Sequence, residues 1–192
     1  MGVWILKKII INIVLIVSFI IIYLLHSNIF TWFKIAGVMP NLFVILVLFI
    51  GLYSNKYMGV VYGVVFGLLL DLFIGKKVGV TAIMLGAVGI IGMLFDKNFS
   101  KENRITLIVM VTISTLVFEI GQSLIYYIIT RETLELLPFI QILLIECLYN
   151  TLITIILYPL IQKGGYKIEN EYKGNRILTR YFWIMRWKNI EK

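Results

Sequence analysis

The sequence predicts an all-α, polytopic membrane protein with six transmembrane helices. Of its 192 residues, 60% are hydrophobic and only 15% are charged, and the mean hydropathy is +0.96. A soluble domain carries about a quarter charged residues, so this chain has too few polar side chains to cover a water-soluble fold. The composition therefore argues against a soluble enzyme, a disordered chain and a nucleic-acid-binding domain. The basic residues lie in short clusters between long uncharged runs, as in membrane topology signals.

Six apolar segments are candidates to cross a bilayer, which takes about 20 helical residues. The first, residues 8–25, follows two lysines like a signal peptide, but its uncharged run is too long and no small-residue cleavage site follows. The second starts near Pro40, because proline suits a first helical turn, and ends near Tyr53. The others cover about 57–74, 79–95, 105–129 and 138–161. Residues 1–161 thus form the predicted transmembrane domain and residues 162–192 a basic cytoplasmic tail.

The distribution of lysine and arginine predicts that both chain ends lie inside the cell. With six spans and the N-terminus inside, fourteen of the eighteen basic residues fall in inner segments. Only Lys34, Lys76, Lys77 and Arg131 fall in outer ones. Because basic residues are retained on the cytoplasmic side, this favours an N-in, C-in topology.

Helices 3 and 4 carry facing sets of small residues. Gly59, Gly63 and Gly67 recur at every fourth position and lie on one face of helix 3. Such a face lets another backbone approach closely, either within the chain or in a groove for a partner, and the internal contact is favoured. Asp71 then stands at the end of helix 3, where an acid opposes the dipole of its own helix. It is expected either to reach headgroup water or to clamp the hairpin through Lys76, Lys77 or the free N–H groups near Gly79.

Two polar pairs lie in the predicted fifth and sixth spans. Glu119 and Gln122 are three residues apart, and Glu146 and Asn150 are four apart, so each pair occupies one helix face. Asp71, Glu119 and Glu146 all fall in the outer half of the bilayer. Ionisable groups at this depth face a partner or a water-filled cavity. We therefore expect an outward-facing polar pocket, or alternatively acids that join helices by bonding to neighbouring backbone.

The tail predicts a surface helix over residues 176–188. On a helical wheel, apolar side chains gather on one side and basic ones on the other, flanked by two tryptophans. The residues of this segment that are predicted to bind at the membrane surface are Arg176, Arg180, Trp183, Arg186 and Trp187. A basic, aromatic amphipathic helix is expected to lie in the inner headgroup layer on anionic lipid. The competing interpretation is a docking helix for a cytosolic protein.

Three short motifs resemble a known family. Pro40-Asn41-Leu42 opens a span, Gly63-x-x-x-Gly67-Leu68-Leu69-Leu70-Asp71 closes the next, and Gly79 opens the one after. These motifs are similar to those of the bacterial rod shape-determining protein MreD, over roughly residues 37–161 and most closely at 59–92. The Lys76-Lys77 turn and the long basic tail are not expected in every member, so the resemblance does not explain the tail.

The resemblance implies a non-enzymatic scaffold in the bacterial inner membrane. Members associate with the single-span protein MreC and, through it, with a RodA-type glycosyltransferase, a penicillin-binding transpeptidase and the MreB filament. This places them in rod-shape maintenance and lateral peptidoglycan synthesis. The family has no known catalytic residue, and its fold resembles the substrate-binding subunit of energy-coupling-factor transporters.

The second hypothesis is a small-molecule binding subunit of a vitamin transporter. In such subunits helix 1 is expected to carry small residues at four-residue spacing, whereas here it is bulky and β-branched. No cofactor or metal is expected, because Cys147 and His26 each stand alone. Neither a catalytic triad nor a phosphate-binding loop is present in the sequence.

Overall fold

The computed structural model describes residues 2–55, 57–74, 77–98, 103–131 and 135–173. The described part of the chain forms six α-helices and a π-helical turn, Leu25–Ile29, that continues the first of them. Within these ranges the one extended pairing is an isolated bridge between Ile35 and Val38. The helices are α1 (Gly2–Leu24), α2 (Leu42–Tyr53), α3 (Met58–Ile74), α4 (Val80–Asn98), α5 (Arg104–Thr130) and α6 (Leu136–Lys173).

The prediction of an all-helical membrane protein with six helices is confirmed for the described residues, but only four helices have the length of a full span. These four are α1 with its π turn, α4, α5 and α6. Helix α3 has 17 residues and α2 has 12. At 1.5 Å per residue α2 is about 18 Å long, well short of a hydrocarbon core of about 30 Å.

Helix α2 lies in the centre of the bundle rather than against lipid. Eleven of its twelve residues are buried, and Val44, Val47 and Leu48 are fully enclosed. A helix that is apolar on every side is suited to this position, because it presents no polar face to water. Its neighbours, not the bilayer, surround it, so its length need not match the bilayer thickness.

The glycines of α2, α3 and α4 allow these three helices to touch backbone to backbone. A Cβ atom at Gly63 would lie 2.4 Å from the Leu85 carbonyl oxygen of α4. One at Gly59 would lie 2.5 Å from Cα of Gly51 in α2 and 3.2 Å from the Gly89 carbonyl oxygen of α4. The glycine face of α3 is thus covered within the chain, which leaves no open groove there for a partner.

The neighbouring glycine positions show the same close approach. A Cβ atom at Gly67 would lie 2.4 Å from Cα of Ala82, and one at Gly92 would lie 2.6 Å from the Leu48 carbonyl oxygen. Since real Cβ atoms do not approach other atoms this closely, each position admits only glycine unless the helices separate.

Helix α6 continues without a break to Lys173, twelve residues beyond the predicted end of the span at 161. Its last turns pack against the bundle, where Gly165 lies directly on the Tyr53 ring. Lys173 Nζ forms an ion pair with Asp96 Oδ2 (2.7 Å) and donates to the Leu52 carbonyl oxygen (2.8 Å). This lysine therefore joins the ends of α2, α4 and α6, and the predicted tail begins only after it.

Helix α1 contacts the bundle along one stripe. The buried residues of this stripe recur every fourth position and are Ile11, Leu15 and Phe19. The Phe19 ring stacks on Phe66 of α3, with centroids 4.3 Å apart. Near the N-terminus of α1, Lys7 Nζ pairs with Glu171 Oε1 of α6 at 2.8 Å. The start of α1 and the end of α6 therefore lie at the same end of the bundle.

Candidate functional site

A cavity of about 520 Å³ opens at the end of the bundle opposite Lys173. Its walls come from the connection at 36–41, the end of α3, the start of α4, the second half of α5 and the first half of α6. Each of these segments lies on the predicted outer side of the bilayer.

The cavity brings together residues that the sequence placed on three separate helices. Asp71, Glu119, Gln122 and Glu146 all line it. The fourth predicted pocket residue of α5 and α6, Asn150, is fully buried one turn below Glu146 and lies behind the wall. The structure therefore has a cavity lined by three of the four residues expected in the polar pocket, together with Asp71.

Asp71 is held by the N-terminus of α4. Its Oδ2 atom accepts hydrogen bonds from the N–H groups of Gly79 (2.8 Å) and Ala82 (3.3 Å). Its Oδ1 atom accepts a third from Thr81 (3.3 Å). The carboxylate therefore caps α4 from the end of α3, and the positive end of the α4 dipole compensates its charge.

Gly79 explains why the cap comes from another helix. Gly79 precedes α4 at the N-cap position, has φ of +102° and carries no side chain that could accept a hydrogen bond. A left-handed conformation of this kind favours glycine. Of the partners predicted for Asp71, the structure shows the backbone N–H groups. Lys77 is exposed, and Lys76 lies outside the described residues.

Glu146 is the most enclosed acid of α5 and α6, with 6% of its surface exposed. Its carboxyl group lies within hydrogen-bonding reach of the side chains of Glu119, Asn41 and Asn150. Its Oε1 atom is buried and has no hydrogen-bond partner among the described residues. Two ionised carboxyl groups this close would repel each other in a buried place, so a cation between them would be favourable.

The start of α2 is fixed by a polar network beneath the cavity. Helix α2 begins at Leu42, not at Pro40 as predicted, because Asn41 is its N-cap and accepts from the Val44 N–H at 3.4 Å. The Asn41 N–H donates to Asn150 Oδ1 (2.7 Å). Asn150 Nδ2 in turn donates to Thr115 Oγ1 of α5 (3.0 Å). Asn150 therefore ties α6 to both α2 and α5.

Replacing Asn150 by alanine is expected to destabilise the protein by about 1–3 kcal/mol, because the Asn41 N–H then stays buried without an acceptor. Unfolding of the purified protein in a detergent titration measures the change. Thr151→Ala is the matched control, since Thr112 keeps its bond to the Ile108 carbonyl when the Thr151 hydroxyl is removed. Equal losses in both variants would show that the network carries no special stability.

Several cavity residues were not predicted from the sequence. His26 comes from the π turn after α1, and Tyr126 lies one turn beyond Gln122 on α5. The connection at 36–39 closes one side of the cavity and includes two residues with positive φ, Ala36 and Gly37. Tyr126 could have been predicted from the sequence, because it follows Gln122 by four residues and therefore lies on the same helix face. Nothing in the sequence brings His26 to the others.

The remaining predicted residues lie elsewhere. Pro40 is buried just before α2, and the three α3 glycines lie in the α2–α3–α4 contact. The membrane-surface residues from Arg176 to Trp187 lie outside the described residues. In the described part of the chain, no group of three or more His, Cys, Asp or Glu side chains is arranged to hold a metal ion.

The family comparison gives a match over most of the chain. A family model described as rod shape-determining protein MreD matches residues 7–164. This range includes every residue that lines the cavity. No curated protein and no solved structure matches the chain.

Proposed function

The chain belongs to the rod shape-determining protein MreD family, and we propose that it is a non-enzymatic membrane scaffold subunit of the bacterial cell-elongation complex. Membership assigns it a role in rod-shape determination. The match over residues 7–164 is the observation that carries the proposal. In this role the protein supports lateral peptidoglycan synthesis without performing chemistry itself.

The proposed direct partner is an MreC-like single-span protein in the cytoplasmic membrane. Through it the subunit would connect to a RodA-type glycosyltransferase, a penicillin-binding transpeptidase and the MreB filament. Because the glycine face of α3 is covered within the chain, the partner has to use another surface. The long outer faces of α1, α5 and α6 expose large apolar side chains, which suits contact with lipid and with a partner helix.

We also propose the N-in, C-in topology with six crossings. The contact of Lys7 with Glu171 supports it, since it places the start of α1 and the end of α6 on one side. The excess of lysine and arginine in the segments of that side supports it further. In this arrangement α2 crosses the membrane inside the bundle, α3 crosses with one face buried and the other exposed, and the cavity opens outward.

The second candidate function is the binding subunit of a vitamin transporter. The cavity favours it, because about 520 Å³ is within the range of small-molecule sites. The resemblance of the family fold to energy-coupling-factor substrate-binding subunits points the same way. The bulky residues of α1 argue against it, since they leave no small-residue face for a coupling protein.

Depletion of the protein in its host, followed by purification in mild detergent, tests the two functions. The scaffold function predicts rounded cells and co-purification of an MreC-like protein. Normal cell shape together with a co-purifying vitamin would reject it and favour the transporter. Depleted cells that express the Gly164→Ala variant are the control for expression and tagging, because a Cβ atom at Gly164 would meet nothing within 4 Å.

The tail is proposed to bind the anionic inner surface of the membrane through residues 176–188. Deleting 174–192 is expected to weaken this placement while partner co-purification persists. The deletion has to start after Lys173, because that residue holds α2 and α4. A variant that keeps Trp187 as its sole tryptophan is placed in lipid nanodiscs. Its fluorescence is expected to peak at a shorter wavelength with anionic lipid than with neutral lipid. Loss of the partner on deletion would instead identify a docking helix.

A further inference from the structure

The outer cavity is lined by three acidic side chains and one histidine. Asp71, Glu119 and Glu146 face it, and no lysine or arginine is found among the described residues of its wall. Asp71 is already satisfied by three backbone N–H groups at the start of α4. The other two acids, Glu119 and Glu146, lie within hydrogen-bonding reach of each other.

Three buried polar atoms of the wall lack partners. Glu146 Oε1, His26 Nδ1 and the Tyr126 hydroxyl oxygen are enclosed and without a hydrogen bond in the described part of the chain. Buried polar groups are nearly always paired, so atoms of this kind mark a place where another molecule completes the bonding. Because Glu146 is more than nine-tenths buried and lines the cavity, that molecule has to enter the cavity itself.

Part of the wall is apolar and aromatic. Phe43, Phe118 and Leu85 lie on it together with the Tyr126 ring. Such surfaces suit a hydrocarbon or aromatic body, and ring faces also attract cations. The site thus offers an acidic region for a charged group and an apolar region for the remainder of a molecule.

We propose that this cavity binds a small organic cation, with its ammonium or guanidinium group between Glu119 and Glu146 and its apolar part against Phe43 and Phe118. The charged group donates to the free oxygen of Glu146 and offsets the charge of the carboxyl pair. An anion is disfavoured by the three acids. Among the described residues no cluster of side chains is arranged to hold a metal ion, and the apolar part of the wall favours an organic cation as the ligand class. The proposal goes beyond the scaffold function and does not depend on it.

The test uses three probes of equal length that differ in charge: 4-phenylbutylamine, 4-phenylbutanol and 4-phenylbutyrate. They are added to the full-length protein in detergent, and thermal unfolding and calorimetry are recorded. The amine is expected to raise the melting temperature, the acid to have no effect, and the alcohol to act weakly. Glu146→Gln and Glu119→Gln are each expected to weaken amine binding by about tenfold or more.

Glu135→Gln is the matched control, because Glu135 is exposed and lies outside the cavity wall. It is expected to bind the amine like the unmodified protein. Where Glu146→Gln lowers the yield of folded protein, Glu119→Gln carries the test. Equal responses to the amine and the acid, no response to the amine, or amine binding that both variants retain would each overturn the proposal.

Discussion

Replacing Gly63 by alanine is expected to force α3 away from α4 and to lower the free energy of unfolding by about 3 kcal/mol. The new Cβ atom would meet the Leu85 carbonyl oxygen at 2.4 Å and its carbon at 2.7 Å. Both are backbone atoms of a packed helix, so no side-chain rotation can relieve the contact. The melting temperature in detergent should fall by roughly 6–12 °C.

Gly164→Ala is the matched control for this experiment. Gly164 also lies inside a helix, α6, but a Cβ atom there would meet nothing within 4 Å. Both substitutions gain the same helix propensity, about 0.5–1 kcal/mol, so their difference measures the steric cost alone. A Gly63→Ala protein as stable as the Gly164→Ala protein would contradict the close α3–α4 contact.

Replacing Asp71 by alanine is expected to destabilise the protein by about 2–4 kcal/mol. The change removes the acceptor for three N–H groups at the start of α4, one of which, that of Ala82, is buried. No local side chain can replace it, because Gly79 stands at the N-cap position. Increased amide hydrogen exchange at residues 79–82 would be the direct readout of the lost cap.

Lys77→Gln separates the cap from an ion pair as the source of this stability. If the backbone N–H groups compensate Asp71, neutralising the exposed Lys77 should change stability by less than about 0.5 kcal/mol. Asp71→Asn should be intermediate, since the amide keeps one acceptor oxygen. A loss on Lys77→Gln equal to that on Asp71→Ala would contradict the capping role.

Local spacing predicted those parts of the fold that depend on one helix face. Four-residue spacing of glycines indicates a close helix contact directly, because period and side-chain size are both visible in the sequence. The length of α2 was predicted less well. A run of apolar residues looks the same whether lipid or protein surrounds it, so the sequence alone does not show that residues 42–53 form a buried core helix.

The end of α6 was missed for a different physical reason. Residues after 161 are polar and include two consecutive glycines, which are typical of a helix end and a tail. In the structure, tertiary contacts override this local preference. Lys173 forms an ion pair with Asp96 and donates a hydrogen bond to the Leu52 carbonyl oxygen. Gly165 leaves space for the Tyr53 ring.

The candidate site was predicted through its acids, because an ionisable side chain in an apolar run stands out. Glu119 and Glu146 were identified in this way, and both line the cavity. Thr115 and His26 were not, since a threonine in a helix is unremarkable and the approach of the α1 end to α5 and α6 is a long-range contact. The sequence identified the charged groups, whereas the residues that lie next to them are visible only in the structure.

The enclosure of α2 has a consequence for how the protein is made. Its 12 residues are too few to be held in the bilayer by the insertion machinery as an independent segment. The Asn41 N–H before α2 and the Leu52 carbonyl near its end bond to Asn150 and Lys173, which are synthesised more than a hundred residues later. A nascent chain that stops before α6 therefore lacks two groups that hold the ends of this helix, and the final packing of α2 has to follow the synthesis of α6.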